Sequence, residues 1–219
     1  ATTVYDWSTH GLIGKVTGSI GRNSGRTGSA FRFDGSADKS IKIENHRAMR
    51  MNKYTLNAWM RYEVGTTSFS AIVNRSGRNY YFSFGDGNNA NGGYIHHRFK
   101  MGNGAHNGVS NAYRVSPEAW TMVTLTNEGN PGLAKTYINA GVVQTKLING
   151  VIGISQDKPI YIGSGENGTN NWFKGSLQNF RLYNSAFNDA EVASLYSATD
   201  AESGAVVINV ENVIPFNAG

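Results

Sequence analysis

The amino-acid sequence predicts an all-β protein, an antiparallel β-sandwich with one short C-terminal helix. Strand-like runs rich in β-branched and aromatic residues recur about every ten to fifteen residues. Turn-forming pairs such as Asp34-Gly35 and Asn103-Gly104 lie between these runs. The chain of 219 residues contains 27 glycines and no cysteine, so its many turns do not depend on a disulfide framework. A single sandwich domain commonly reaches this length.

The predicted strands follow one another along the chain. We expect them at residues 30–33, 40–43, 54–62, 69–74, 80–84, 94–101, 120–126, 134–138, 159–162 and 175–183. The helix is predicted over residues 189–197, because Asn188 can cap its first turn and Glu191 completes a capping box. Residues 1–200 then form one domain. Residues 201–219 are expected to be a final strand or a linker to a further module.

The charge of the chain is modest and positive. It has 20 Lys and Arg residues against 15 Asp and Glu residues, and only 16% of its residues are charged. The basic residues are scattered singly, which argues against nucleic-acid binding, and no run approaches the ~18 apolar residues of a membrane span. The excess of positive charge favours an acidic partner. The chain begins with Ala-Thr-Thr, so we expect a secreted protein whose signal peptide has been removed. We also expect a monomer.

Several segments carry a family resemblance. They are residues 28–35 (GSAFRFDG), 54–60 (YTLNAWM), 120–126 (WTMVTLT), 137–139 (YIN) and 173–183 (FKGSLQNFRLY), the last followed by NDAEV at 188–192. On these motifs, about residues 28–198 resemble the LamG-like jelly rolls of the concanavalin A-like lectin/glucanase superfamily. The resemblance implies a jelly-roll sandwich. It does not select a function, because the fold hosts lectins, binding modules, hydrolases and lyases.

Strand alternation divides the candidate functional side chains from the core. In residues 94–101, His97 shares a face with the apolar residues, whereas His96 and Arg98 lie on the opposite face. The same reasoning places Trp59 and Tyr81 opposite buried faces of their strands. We expect one exposed, concave face that binds sugars through aromatic rings, amides and cations. The alternative is that exposed Arg and Lys residues only keep the sheet soluble and block edge pairing.

The chemistry of this predicted face points to an acidic polysaccharide that contains uronate and is sulfated, since Arg pairs well with carboxylate and sulfate groups. Hydrolysis is disfavoured, because the Glu-x-Asp-x-x-Glu run of retaining glucanases is absent. Cleavage by β-elimination needs no carboxylate pair. We assign His96 as the base, Tyr81 as acid or alternative base, and Arg61 to charge neutralisation. His97 is the alternative catalyst if the face assignment is off by one residue.

The predicted substrate-binding residues are Asn57, Trp59, Asn74, Arg75, Tyr94, Arg98, Lys100, His106, Tyr113 and Arg114. The last three lie in or beside a Gly/Asn-rich segment, which we expect to be a loop able to close over the substrate. A basic LamG-like domain of this size resembles the jelly-roll ulvan lyases. It departs from the jelly-roll alginate lyases, because Tyr94 stands where their Gln-x-His strand has Gln. The alternatives are a non-catalytic carbohydrate-binding module or lectin-like domain, and an adhesion domain that binds no glycan.

No cofactor is expected for catalysis. The His residues are scattered without a His-Glu-x-x-His spacing, so we predict no catalytic zinc. The LamG-like resemblance implies a structural Ca²⁺, for which Asp34 is the candidate ligand. The alternative role of Asp34 is to form the turn with Gly35.

Overall fold

The computed structural model describes residues 3–6, 8, 10–65, 69–75, 80–85, 93–153, 157–165 and 168–198. The predicted final strand or linker at 201–219 lies outside these residues. The strands are β1 (Thr3–Tyr5), β2 (Ile13–Thr17), β3 (Gly21–Ser24), β4 (Ser29–Asp34), β5 (Ser40–Ile43), β6 (Tyr54–Tyr62), β7 (Ser70–Arg75), β8 (Tyr80–Gly85), β9 (Gly93–Lys100), β10 (His106–Val115), β11 (Thr121–Asn127), β12 (Gly132–Ile138), β13 (Gly141–Ile148), β14 (Ile160–Ile162) and β15 (Lys174–Tyr183). A 3-10 turn spans Arg47–Met49, and helix α1 spans Asp189–Ala198.

The strands form two antiparallel sheets that face each other across the core. The eight-stranded sheet has the order β1-β2-β5-β14-β7-β8-β9-β10, and the seven-stranded sheet has the order β13-β12-β11-β6-β15-β4-β3. Large apolar side chains from both sheets, such as Phe33, Phe82 and Phe180, are fully buried between them. The predicted jelly-roll sandwich with one short C-terminal helix is therefore confirmed.

Helix α1 begins as the sequence predicted. The Asn188 backbone N–H donates to Glu191 Oε2 at 2.7 Å, and the Glu191 backbone N–H donates to Asn188 Oδ1 at 3.0 Å. This reciprocal pair is a capping box, which satisfies two of the N–H groups that a helix start leaves without intrahelical partners. Val192 is fully buried and anchors the helix to the seven-stranded sheet.

One expectation about the chain between residues 106 and 115 was wrong. The sequence suggested a Gly/Asn-rich loop there, but the segment forms strand β10, which pairs with β9 from His106 opposite Lys100 to Val115 opposite Gly93. Pairing with β9 satisfies backbone groups that a loop would leave to water, and the register shifts between Ser110 and Arg114. The segment is thus part of the sheet and not a closing loop.

Strand β9 alternates strictly between the core and the outer side of its sheet. Ile95, His97 and Phe99 are buried, whereas His96 and Arg98 are half-buried on the other side. The buried imidazole of His97 is bonded across the core, since its Nε2 lies 2.7 Å from the hydroxyl oxygen of Tyr54 on β6. Burial lowers the pKa of His97 from 6.5 to about 3.

The buried imidazole makes stability depend on pH. The folded protein keeps His97 neutral down to about pH 3, whereas the unfolded chain protonates it below its ordinary pKa of 6.5. Between these values the unfolded state binds more protons, so stability falls as pH falls, by about 1.4 kcal/mol per pH unit. The His97→Gln variant should lose this contribution to the slope of unfolding free energy against pH, measured by urea denaturation.

The matched control is Phe99→Leu, which alters the same buried side of β9 without removing a titratable group. It should keep the wild-type slope. An unchanged slope in His97→Gln would show that His97 does not titrate as its burial implies.

Candidate functional site

The predicted site residues are divided between the two sheets. Asn57, Trp59 and Arg61 lie on β6, in the middle of the seven-stranded sheet, whereas β7, β8 and β9 belong to the eight-stranded sheet. Their outward-facing side chains therefore point to opposite sides of the sandwich. The expectation of one continuous face was wrong, because alternation shows which residues share a face of a strand but not which sheet the strand joins.

The residues on β6 serve the structure of their own sheet. Trp59 is only 2% exposed, its ring stacks on Tyr196 of α1 with 5.6 Å between centroids, and the Arg26 guanidinium lies 4.2 Å from its ring centroid. Asn57 is fully buried and donates from Nδ2 to Thr124 Oγ1 at 2.7 Å. Neither side chain is available to a polysaccharide.

Arg61 is engaged by an acid. Its Nη2 lies 2.6 Å from Glu118 Oε2, and its Nε donates to the Glu118 carbonyl at 2.9 Å. Because Arg61 and His96 lie on opposite sheets, Arg61 cannot neutralise a substrate carboxylate held over His96. The role predicted for Arg61 is therefore excluded by position.

Arg75 is also displaced from the predicted face. It is 1% exposed, and its guanidinium donates to the Met49 carbonyl and, at 3.2 Å, to Asn45 Oδ1. Burial lowers the pKa of Arg75. Arg75 follows the outward-facing Asn74 and therefore points inward. Its hydrogen bond to Met49 connects β7 to the 3-10 turn.

The outer face of the eight-stranded sheet brings other predicted residues together. Directly opposed residues on neighbouring strands share a face. The strand registers align Lys42 with Tyr161, Tyr161 with Asn74, Asn74 with Tyr81, and Tyr81 with Arg98. Asn74 and Tyr81 are nevertheless 1% and 5% exposed. The centre of this row is thus buried, and solvent reaches its ends.

The accessible end of the row is on β9. We call it the β9 face and define it by the outward residues of β9 with two neighbours that contact them: Tyr94, His96, Arg98, Lys100, Phe69 and Arg114. Arg114 Nη2 donates to the Tyr94 hydroxyl at 2.5 Å, and its guanidinium lies 4.2 Å from the Tyr94 ring centroid. The β9 face therefore combines cations with aromatic rings.

Phe69 is a residue of this face that sequence reasoning missed. The sequence predicts it as the first residue of the strand at 69–74, but it precedes β7 and is 44% exposed. Its ring lies 5.4 Å from the His96 ring and 5.3 Å from the Arg98 guanidinium carbon. Its backbone has φ 63°, which is rare for an aromatic residue, and its carbonyl accepts from the Tyr81 hydroxyl at 3.0 Å. No local sequence signal marks this conformation.

The surroundings of His96 favour its neutral imidazole form. Burial lowers its pKa below the ordinary value, and the nearby charge of Arg98 lowers it further. A neutral imidazole can accept a proton or a hydrogen bond. The two remaining predicted residues lie on β10, where His106 is in register with Lys100, while Tyr113 is 51% exposed and points away from Arg114 by alternation.

The surroundings of Asp34 do not favour calcium. Its carboxylate accepts hydrogen bonds from Ser36 and pairs with the Lys39 ammonium, and these contacts lower the pKa of Asp34. A cationic ammonium thus occupies part of the space that a calcium ion would need. Among the described residues, no three His, Asp or Glu side chains are grouped to hold a metal ion. The calcium site stays an untested prediction, and the observed role of Asp34 is in the turn.

Comparison with known families agrees with the fold. Residues 34–193 match the laminin G-type model of the concanavalin A-like lectin/glucanases superfamily, and the chain belongs to this family. A search of curated proteins found no match. No helix in the described part of the chain is long and apolar enough to cross a membrane.

Solved structures share the architecture at low sequence identity. The botulinum neurotoxin serotype G binding domain has a TM-score of 0.72 and 17% identity, and the match covers 90% of this chain and 49% of that one. The receptor binding domain of botulinum neurotoxin C/D mosaic serotype has a TM-score of 0.70 and 18% identity, and the match covers 90% of this chain and 49% of that one. The binding domain of Paraclostridial Mosquitocidal Protein 1 has a TM-score of 0.67 and 17% identity, and the match covers 90% of this chain and 50% of that one. This chain spans about half the length of these structures, and the likeness shows a common fold.

The burial of Trp59 predicts a structural role. Trp59→Ala should lower the free energy of unfolding by about 3–5 kcal/mol, because the truncation leaves a cavity between α1 and the seven-stranded sheet. Urea denaturation followed by circular dichroism measures the change. Tyr113→Ala is the matched control, since it removes an exposed aromatic side chain and should cost less than about 0.5 kcal/mol. Equal effects of the two variants would contradict the structural assignment.

Proposed function

We propose that the protein binds an acidic polysaccharide, containing uronate or sulfate groups, on the β9 face. The observation that carries the proposal is that two cationic side chains on this face lack an acidic partner among the described residues. Neither Arg98 nor Lys100 forms an ion pair with any described residue. By contrast, Arg61, on the opposite sheet, is held by Glu118.

The arrangement of the β9 face suits a charged sugar chain. Arg98 and Lys100 are two residues apart on one strand, so their side chains emerge on the same side about 7 Å apart. A guanidinium binds a carboxylate or sulfate through a planar pair of N–H donors. Phe69 beside Arg98 offers an exposed aromatic surface to the apolar face of a sugar ring.

The solved neighbours support binding as a use of this architecture. The structures named above are described as binding or receptor-binding domains. A further one, of botulinum neurotoxin DC, was determined in complex with rat synaptotagmin II. These names concern those proteins, and for this chain they favour a binding role in general without naming the ligand.

The test compares matched arginines on the two sheets. Arg98→Gln should weaken binding of alginate or heparin about tenfold, because it removes a charge-assisted hydrogen bond worth about 1.5 kcal/mol. Arg61→Gln should leave the affinity unchanged. Isothermal titration calorimetry at two salt concentrations measures both, and higher salt should weaken wild-type binding by screening.

Uncharged dextran is the ligand control and should not compete with alginate. Equal loss of affinity in the two arginine variants, or wild-type protein that binds neither acidic polymer, would rule out the β9 face as the site.

A second candidate function is cleavage by β-elimination, which the neutral state of His96 favours. A neutral His96 can take the C5 proton of a uronate while Arg98 neutralises the carboxylate. The electrons of the C5–H bond form the C4–C5 double bond, and the C4–O bond to the leaving sugar breaks. The leaving oxygen then takes a proton from Tyr94. The predicted acid, Tyr81, is less suitable because it is 5% exposed and its hydroxyl donates to Phe69.

This candidate is tested by absorbance at about 235 nm, where unsaturated uronates absorb, with alginate, heparin and ulvan as substrates. His96→Ala should abolish the rise, whereas Arg61→Ala should keep it. Since the pKa of His96 is lowered, activity should persist below pH 6.5 before it falls. Binding of these polymers without any rise in absorbance would refute cleavage and leave the binding proposal standing.

A further inference from the structure

A cavity of about 630 Å³ opens next to the end of β9, and nothing above assigns it a role. It lies between the turn that joins β9 to β10 and the residues that follow β13. Asn103 from this turn and Asn107 from the start of β10 line one side of it, and Asn149 and Val151 line the other side. Its volume is within the range of small-molecule sites, roughly 300–1,000 Å³.

The two walls of this cavity are joined by backbone hydrogen bonds. The Gly102 N–H donates to the Val151 carbonyl at 2.6 Å, and the Gly153 N–H donates to the Lys100 carbonyl at 2.7 Å. Met101 and Ile152 form an isolated β-bridge between them. The cavity is therefore preformed, and a ligand need not order two separate loops.

Each asparagine amide is oriented by a hydrogen bond to a nearby backbone N–H, Asn103 in the turn and Asn107 on β10. Asn103 Oδ1 accepts from the Ala105 N–H at 3.0 Å, and Asn107 Oδ1 accepts from the Gly108 N–H at 2.9 Å. Each amide oxygen therefore accepts one backbone hydrogen bond. The Nδ2 groups donate to no described residue, so each amide offers N–H donors to the cavity.

The residues that line the cavity are uncharged, which disfavours charged ligands. No charged side chain is among the residues that line the cavity, all of which belong to the described part of the chain. Val151, at 68% exposure, provides an apolar wall. Uncharged N–H donors beside an apolar surface suit a molecule with hydroxyl oxygens and a C–H face, and an anion would find no cation here.

We propose that this cavity binds an uncharged monosaccharide unit, with Asn103 and Asn107 donating to its hydroxyl oxygens and Val151 contacting its C–H face. The inference goes beyond the acidic site and does not rest on it. Met101, which lines the cavity, follows Lys100 directly and is buried, whereas the Lys100 side chain lies on the outer side of the sheet, so the cavity is separate from the β9 face.

The experiment uses ¹⁵N-labelled full chain titrated separately with D-glucose, D-galactose, D-xylose and L-rhamnose. At least one sugar should shift the amide signals of Gly102, Gly104 and Gly150 in a saturable manner. The double variant Asn103→Asp/Asn107→Asp keeps the side-chain oxygens that accept these two hydrogen bonds but removes the Nδ2 donors. It should weaken that binding about tenfold or more.

Two control variants test whether the loss of sugar binding is specific to this cavity. Asn139→Asp makes the same exchange at a remote turn, where Asn139 Oδ1 accepts from the Met122 N–H at 2.9 Å, and should bind the sugar normally. Arg98→Gln should also bind it normally, so failure of the acidic site and failure of this site are distinguishable. The proposal is overturned if no sugar shifts these amides, if the double variant binds as well as wild type, or if Asn139→Asp is equally impaired.

Discussion

The register of β9 determines what the eight-stranded sheet presents to solvent. Side chains alternate with a period of two, so a slip of one residue against β8 would turn Arg98 and Lys100 into the core and expose Phe99. Burying two unpaired cations costs several kcal/mol. The bond between His97 and Tyr54 opposes such a slip, because it spans the core and links β9 to the other sheet. An internal polar contact thereby fixes the composition of an external face.

The two outer faces of the sandwich differ in how far the protein covers them. On the seven-stranded sheet, α1 lies over Trp59 and Tyr183, and nearby charges such as Arg61 and Lys135 are matched by acids. On the eight-stranded sheet, Arg98 and Lys100 of the β9 face form no ion pair with any residue in the described part of the chain. The net charge of +5 does not by itself indicate where an acidic partner would bind. The distribution of charge between the two faces indicates the β9 face.

Local sequence patterns predicted the features that local geometry controls. The alternation of β9 and the capping box of α1 both appear in the structure, because each depends on residues within a few positions of one another. Sheet membership could not be predicted in this way. β6 pairs with β11 and with β15, both far along the chain, and nothing within β6 encodes that choice. Trp59 and Arg61 were therefore predicted on the wrong face, because the sheet to which β6 belongs was unknown. The exposure of Phe69 depends on a single left-handed backbone conformation.

The order of strands in the sheets has a consequence for biosynthesis. β15 lies between β4 and β6, and β14 lies between β5 and β7, although each is made long after its neighbours. While the chain emerges from the ribosome, these early strands have open edges where their late partners belong. Such edges can pair with other chains, and closing long loops is slow. The edges of β4 and β6 therefore stay open until residues 174–183 have been synthesised, and a chain truncated before them cannot complete the seven-stranded sheet.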